Sequence, residues 1–238
     1  MRSSRWHAHG NVYLVLEGDS GGVDLSGTDG AIEVQAVDGD DLTIGVVNPD
    51  GSRAEMSGNG TRIAAAWLMS RNGTAEARVH VGSRTVNVRR TDEGLFESAL
   101  GRVEVGAREI VDGIELTPVW VGNPHAVVVG DPGRIGELGP RLESHMRFPE
   151  RTNVQVVRVE RPGVVTARVW ERGVGETAAS GTGAVAAAAA THGEGEVLVR
   201  FPGGDLQVRL RDGAAWLIGP AEPLEEMPAS SPEADTDT

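Results

Sequence analysis

The chain has 238 residues, 39% hydrophobic and 24% charged, which suits one large or two small globular domains with a substantial core. A formal net charge of −13 argues against nucleic acid and anionic membrane surfaces as partners. Cysteine is absent, which removes disulfides, thiolate metal sites and a cysteine nucleophile together. The six histidines show no HExxH or other ligand spacing, so no metal is expected. No apolar run approaches ~18 residues and no signal-peptide pattern is present, so the expectation is a cytoplasmic protein without a membrane span.

In chain order, residues 11–16 (NVYLVL) form a first strand and 18–30 are rich in turns. Residues 31–37 and 41–47 flank Asp38-Gly39-Asp40, a hairpin signal, and 48–52 (NPDGS) form a loop. A helix follows over about 60–71, then alternating strands in 78–90 around Gly82-Ser83 and further strands at 94–100 and 109–121. Residues 114–118 mark the crossing between two halves. A strand leads into Gly122-Asn123-Pro124-His125, followed by a strand at 126–129 and a short helical segment at 134–145. Strands at 153–160 and 164–170 precede a second helix from Gly183, a hairpin around Pro202-Gly203-Gly204 and a last strand at 215–218. His7 and His9 alternate as across a strand and His145 lies in a polar segment, so each is assigned a structural or surface role. The acidic tail, 228–238, has the composition of a disordered segment. Many strands with about one long helix per half predict an α+β chain, not a doubly wound sheet. No GxGxxG follows a strand in the right context, so no dinucleotide is implied.

The chain repeats one pattern. Residues 56–67 read MSGNGTRIAAAW and residues 179–190 read ASGTGAVAAAAA. Each places Ser-Gly-x-Gly before an alanine-rich run, and alanine is the best helix former. Taken alone, either serine is more often an ordinary helix N-cap than a catalytic group. Together they predict two similar domains, each aiming a helix N-terminus and one serine at a shared cleft. Free N–H groups and the positive dipole end make such a terminus an anion site. Two opposed groups on one ligand suit a racemase or epimerase, in which one removes an α-proton and the other returns a proton to the opposite face. Glu171 and Arg172, in the glycine-rich ERGVGET stretch, add a charged pair beside the second serine.

HAHGNVYLV, NPDGSRAEMSGNGTR, GNPHAVV, GPRLESHMRFPERTNVQVV, WERGVGETAASGTGAVAAA and GPAE, in this order over residues 1–222, resemble the diaminopimelate epimerase family. The resemblance implies two pseudo-symmetric domains, each a mixed sheet or barrel around a central helix, with the active site between them and often a homodimer. The halves would be 1–114, joined by about 217–227, and 115–216. It implies cofactor-independent interconversion of LL- and meso-diaminopimelate in lysine and peptidoglycan biosynthesis. By motif, Asn11, Asn48, Asn123 and Asn153 are implied to hydrogen-bond the substrate. Glu171 and Arg172 are implied to bind the amino and carboxylate groups at the distal stereocentre. Gly58, Asn59, Gly181 and Thr182 are implied to offer N–H groups to the carboxylate at the reacting centre, where they also stabilise the charge that builds as the α-proton leaves.

Two departures stand out. Ser57 and Ser180 occupy the positions where the family carries its catalytic cysteines. A thiol has a pKa of about 8.5 and is tuned lower near a helix N-terminus, whereas a serine hydroxyl needs a neighbouring base. Asp29-Gly30 stands where many members have Asp-Gln. The chain is also shorter than the family's usual length between 30 and 48 and around 90–109. Three readings follow: an epimerase in which another group takes the proton; a same-fold isomerase or dehydratase using a serine with a carboxylate such as Glu55 or Glu176; and a protein that binds an amino acid without turnover.

Overall fold

The computed structural model describes residues 2–54 and 57–224; Glu55 and the acidic tail lie outside the described residues. The chain opens with β1 (Ser3–Ala8), β2 (Asn11–Glu17), β3 (Gly30–Asp38), β4 (Asp41–Val47) and a short β5 (Arg53–Ala54), then forms helix α1 (Gly58–Asn72). Strands β6 (Glu76–Val81), β7 (Arg84–Arg90), β8 (Phe96–Arg102), β9 (Glu104–Val105) and β10 (Glu109–Val111) follow. Next come β11 (Ile114–Trp120), β12 (Pro124–Val129), a 3-10 turn (Pro132–Arg134) leading into α2 (Ile135–Glu143), β13 (Asn153–Arg161), β14 (Val164–Glu171) and β15 (Gly175–Thr177). The chain closes with α3 (Gly181–His192), β16 (Gly195–Phe201), β17 (Gly204–Arg211), β18 (Ala214–Gly219) and β19 (Glu222–Pro223).

Strand pairing repeats as the sequence does. β2 runs parallel to β3, β3 pairs antiparallel with β4, and β4 runs parallel to β6 on the far side of α1. In the same way β12 runs parallel to β13, β13 pairs antiparallel with β14, and β14 runs parallel to β16 on the far side of α3. Each of the two hairpins also carries one register irregularity, between Val34 and Ala36 in β3–β4 and between Val159 and Arg161 in β13–β14. An antiparallel pair, β8 with β18, stitches the two sets together, and β19 returns to β1.

The helices explain why the sheets wrap. In α1 every residue from Gly58 to Met69 is buried, and in α3 every residue from Gly181 to Ala189. A helix with no polar face must be enclosed on all sides, and alanine lets the surrounding strands approach closely. Strands β1, β2, β4, β6, β7 and β8 contact α1, whereas β11 to β14 and β16 to β18 contact α3. Helix α1 stops at Gly73, whose left-handed φ of 71° lets its N–H cap Met69 O. Helix α2 is different: Ile135, Leu138 and Leu142 pack in a separate outer core with Val154 and Val156 of β13.

The predicted elements are largely present, with extended ends. Both central helices begin earlier than propensity suggests, at Gly58 and Gly181 instead of about Gly60 and Gly183. Capping by Ser57 and Ser180 offsets the low helix preference of the glycines. His9 is not in a strand; it sits in the β1–β2 turn with φ of 50°, because Gly10 follows as the second turn residue. None of the helices among the described residues is long and apolar enough to cross a membrane.

Candidate active site

The two helix N-termini converge. A Cβ built on Gly58 would lie 3.0 Å from Gly181 Cα, and one on Gly181 would lie 3.0 Å from Gly58 Cα. Only glycine permits such an approach of two backbones. Ser57, extended at φ −133° and ψ 119°, accepts from Gly60 N–H at 3.0 Å; Ser180, at φ −137° and ψ 127°, accepts from Gly183 N–H at 3.2 Å. Both serines are therefore N-caps and also line the same cavity, of about 350 Å³. Ser57 and Ser180 are joined in its wall by Asn11, Asn48, Gly58, Asn59, Asn123, Asn153, Glu171, Arg172, Gly181 and Thr182, so that every residue singled out by motif faces one space.

The asparagines are tied into the frame. Asn59 Nδ2 donates to Asn11 Oδ1 at 3.0 Å, while Arg62 donates from Nη2 to Asn59 Oδ1 and from Nε to Pro220 O, both at 2.9 Å. Arg62 is fully buried, and burial lowers its pKa to about 10. Asn123 donates to Thr182 Oγ1 at 3.3 Å and holds His125 Nε2 at 2.8 Å. Burial drives His125 down to about 3, so the ring is neutral. Asn153 donates to Pro124 O and accepts from Arg172 N–H, at 2.9 and 3.0 Å, fixing the ERG turn after β14. Asn48 donates to Ser52 Oγ at 2.9 Å.

Glu171 ends β14 with its carboxylate turned to the second serine. Ser180 Oγ donates to Oε2 at 3.1 Å and Thr177 Oγ1 to Oε1 at 2.6 Å. Burial raises the Glu171 pKa, partly offset by those two hydrogen bonds. Glu176 does not serve here. It neighbours Thr177 on β15, so strand alternation turns it outward, where Arg168 Nε donates to it at 2.6 Å. The Arg172 guanidinium lines the cavity and donates to Glu150 O at 3.1 Å.

Several groups at the site have no role assigned from the sequence. Tyr13, on apolar β2, would be assigned to the core from sequence, yet its hydroxyl lies 3.2 Å from Ser57 Oγ. Burial first and the Glu171 charge second push its pKa upward, so it is a protonated phenol. Asp29 accepts from Val12 N–H at 2.7 Å and closes the cavity beside Tyr13. Glu143, at the end of α2, accepts from Gly173 N–H and Trp170 Nε1, both at 2.7 Å, and pairs with Arg151, so the outer helix anchors the ERG turn. Among the described residues no group of three or more His, Asp or Glu is placed to hold a metal.

This architecture is shared with epimerases. A predicted epimerase from Pseudomonas aeruginosa superposes with a TM-score of 0.69 over 94% of this chain and 97% of its own, at 18% identity. A hydroxyproline epimerase from Agrobacterium vitis does so at 0.69 over 93% and 88%, at 14% identity. At such identities the likeness is one of fold. The sequence goes further: the family model for diaminopimelate epimerase matches residues 117–222. The diaminopimelate epimerase of Desulforudis audaxviator is 35% identical over 93% of this chain and 96% of its own. The chain belongs to the diaminopimelate epimerase family, a family of isomerases.

Proposed function

We propose that the chain inverts one α-carbon of a diamino dicarboxylic acid, interconverting LL- and meso-2,6-diaminopimelate without a cofactor. In this function residues 1–114, with the return from about 217, and residues 115–216 each bring one helix N-terminus to the substrate. The observation that carries it is the convergence of two serine-capped helices at Gly58 and Gly181 over one polar cavity. N–H groups of Gly58, Asn59, Gly181 and Thr182 receive the carboxylate at the reacting centre. They stabilise the charge that develops when the α-proton leaves, an effect worth about 10²–10³ in rate per donor in comparable sites. Ser57 and Ser180 stand at the two faces of the α-carbon. Arg172, Asn48 and Asn153 take the distal end, where a guanidinium fork suits a carboxylate.

A serine hydroxyl does not remove an α-proton unaided. At Ser180 the base is Glu171, whose carboxylate already accepts from the hydroxyl. Its raised pKa brings it nearer the basicity that proton transfer at neutral pH requires. Glu171 thereby acts at the reacting centre instead of on the distal ammonium.

Incubation of the protein with LL-diaminopimelate in D2O, followed by NMR of the α-proton, tests the function. Meso product carrying deuterium at the inverted centre is the expected result. Substrate that binds but neither exchanges nor inverts would overturn it in favour of a binding protein.

A further inference from the structure

Tyr13 is the one tyrosine of the chain, and there is no lysine in it. The phenol is buried under the cavity with its hydroxyl on Ser57 Oγ. Its register partner on parallel β3 is Gly30, at φ 144°; a Cβ there would lie 3.2 Å from Tyr13 Cε1 and 2.4 Å from Val47 O. The absence of a side chain at Gly30 leaves the space in which the ring lies. The two serines are thus matched. Behind Ser57 stands a phenol at 3.2 Å, and behind Ser180 a carboxyl at 3.1 Å. Among the described residues no histidine lines the cavity to serve either of them.

We propose that Tyr13 is the proton source at the Ser57 face, acting through the Ser57 hydroxyl, as Glu171 is the proton acceptor at the Ser180 face. The assignment rests on the epimerase function above. In one pass the α-C–H bond breaks and its electron pair stays on the substrate. The α-proton passes to Ser180 Oγ as the serine's own proton passes to Glu171. On the other face Ser57 gives its proton to the α-carbon and takes Tyr13's. The negative charge has then moved from carboxylate to phenolate, and the site's net charge is unchanged. Water in the cleft takes the proton from Glu171 and returns one to Tyr13. In the opposite direction phenolate is the base and carboxylic acid the donor.

The surroundings fit this exchange. Burial, the Glu171 charge and, to a smaller extent, the Asp29 charge hold the phenol protonated before the reaction, while its contact with Ser57 works the other way. Once Glu171 has taken a proton its repulsion is gone, which eases formation of the phenolate.

The test follows deuterium uptake and inversion separately, with LL- and meso-diaminopimelate, in D2O. Tyr13→Phe should lower inversion by about 10²-fold or more. The isomer whose α-proton faces Ser180 should still take up deuterium without inverting, because removal and return can occur on the Glu171 face. Ser57→Ala carries the same expectation and decides the matter should Tyr13→Phe not fold. Glu171→Gln should abolish that exchange. A folded Tyr13→Phe that inverts at the parent rate, or that loses exchange from both isomers, overturns the assignment. A parent protein inert toward both isomers defeats the epimerase function itself, and the assignment with it.

Discussion

Gly58 and Gly181 meet backbone to backbone, with no room for a side chain on either. This contact brings two helix N-termini to one point, the arrangement on which the proposed carboxylate binding rests. Gly58→Ala should therefore cost about 1–3 kcal/mol of stability through overpacking. It should weaken substrate binding as well, since the proposed function assigns the N–H groups it displaces to the substrate carboxylate. Denaturant midpoints and substrate titration of the variant check both.

Replacing Ser57 and Ser180 together by cysteine should raise the epimerisation rate by about 10²-fold or more, because a thiol at a helix N-terminus ionises far more readily than a hydroxyl. The parent chain, with no cysteine, should keep its activity after iodoacetamide treatment, whereas the double variant should lose it. An unchanged rate in the double variant would mean that geometry, not acidity, limits the site.

Glu171→Gln should separate function from stability. Burial raises the folded-state pKa of Glu171 above its ordinary value. Its stabilising contribution is thus complete below the ordinary carboxyl range and lost as pH rises through the raised folded value. At pH 7 the buried charge is a cost, and the neutral glutamine should gain about 0.5–2 kcal/mol. The gain should vanish in acid, while activity falls by about 10²–10⁴. Thermal melts at pH 4 and pH 7 beside rate assays give the comparison.

His125 predicts acid sensitivity. Its pKa falls from 6.5 to about 3 in the fold because the ring is buried. The unfolded chain binds a proton in that window and the folded one does not. Stability is therefore full above about 6.5 and falls as pH drops toward about 3, by an amount on the order of several kcal/mol. His125→Gln should flatten that slope in urea titrations from pH 7 to pH 4.

Much of this protein is legible along its chain. The repeated Ser-Gly-x-Gly before an alanine-rich run encodes a capped helix twice over, because capping and helix propensity act between near neighbours. The strand hairpins at Asp38-Gly39-Asp40 and Pro202-Gly203-Gly204 follow for the same reason. The motifs that carry the family resemblance named a large part of the cavity lining, but not Tyr13, Glu150 or Thr177. Short strands such as β5, β9, β15 and β19 were not readable. Two or three residues carry no periodicity, and these strands exist only because a partner strand is at hand.

What the chain could not decide by itself is which groups face one another. Tyr13 in NVYLVL has the pattern of a core residue, and only pairing of β2 with β3 at Gly30 and the approach of α1 put its hydroxyl on Ser57. Glu171 and Glu176 are both carboxylates near Ser180 in sequence; the direction of β14 and the alternation of β15 turn one to the serine and the other to Arg168. Local interactions fix elements, whereas the juxtaposition of residues 44 or 123 positions apart, Tyr13 with Ser57 and Gly58 with Gly181, arises only when buried helices draw their strands around them.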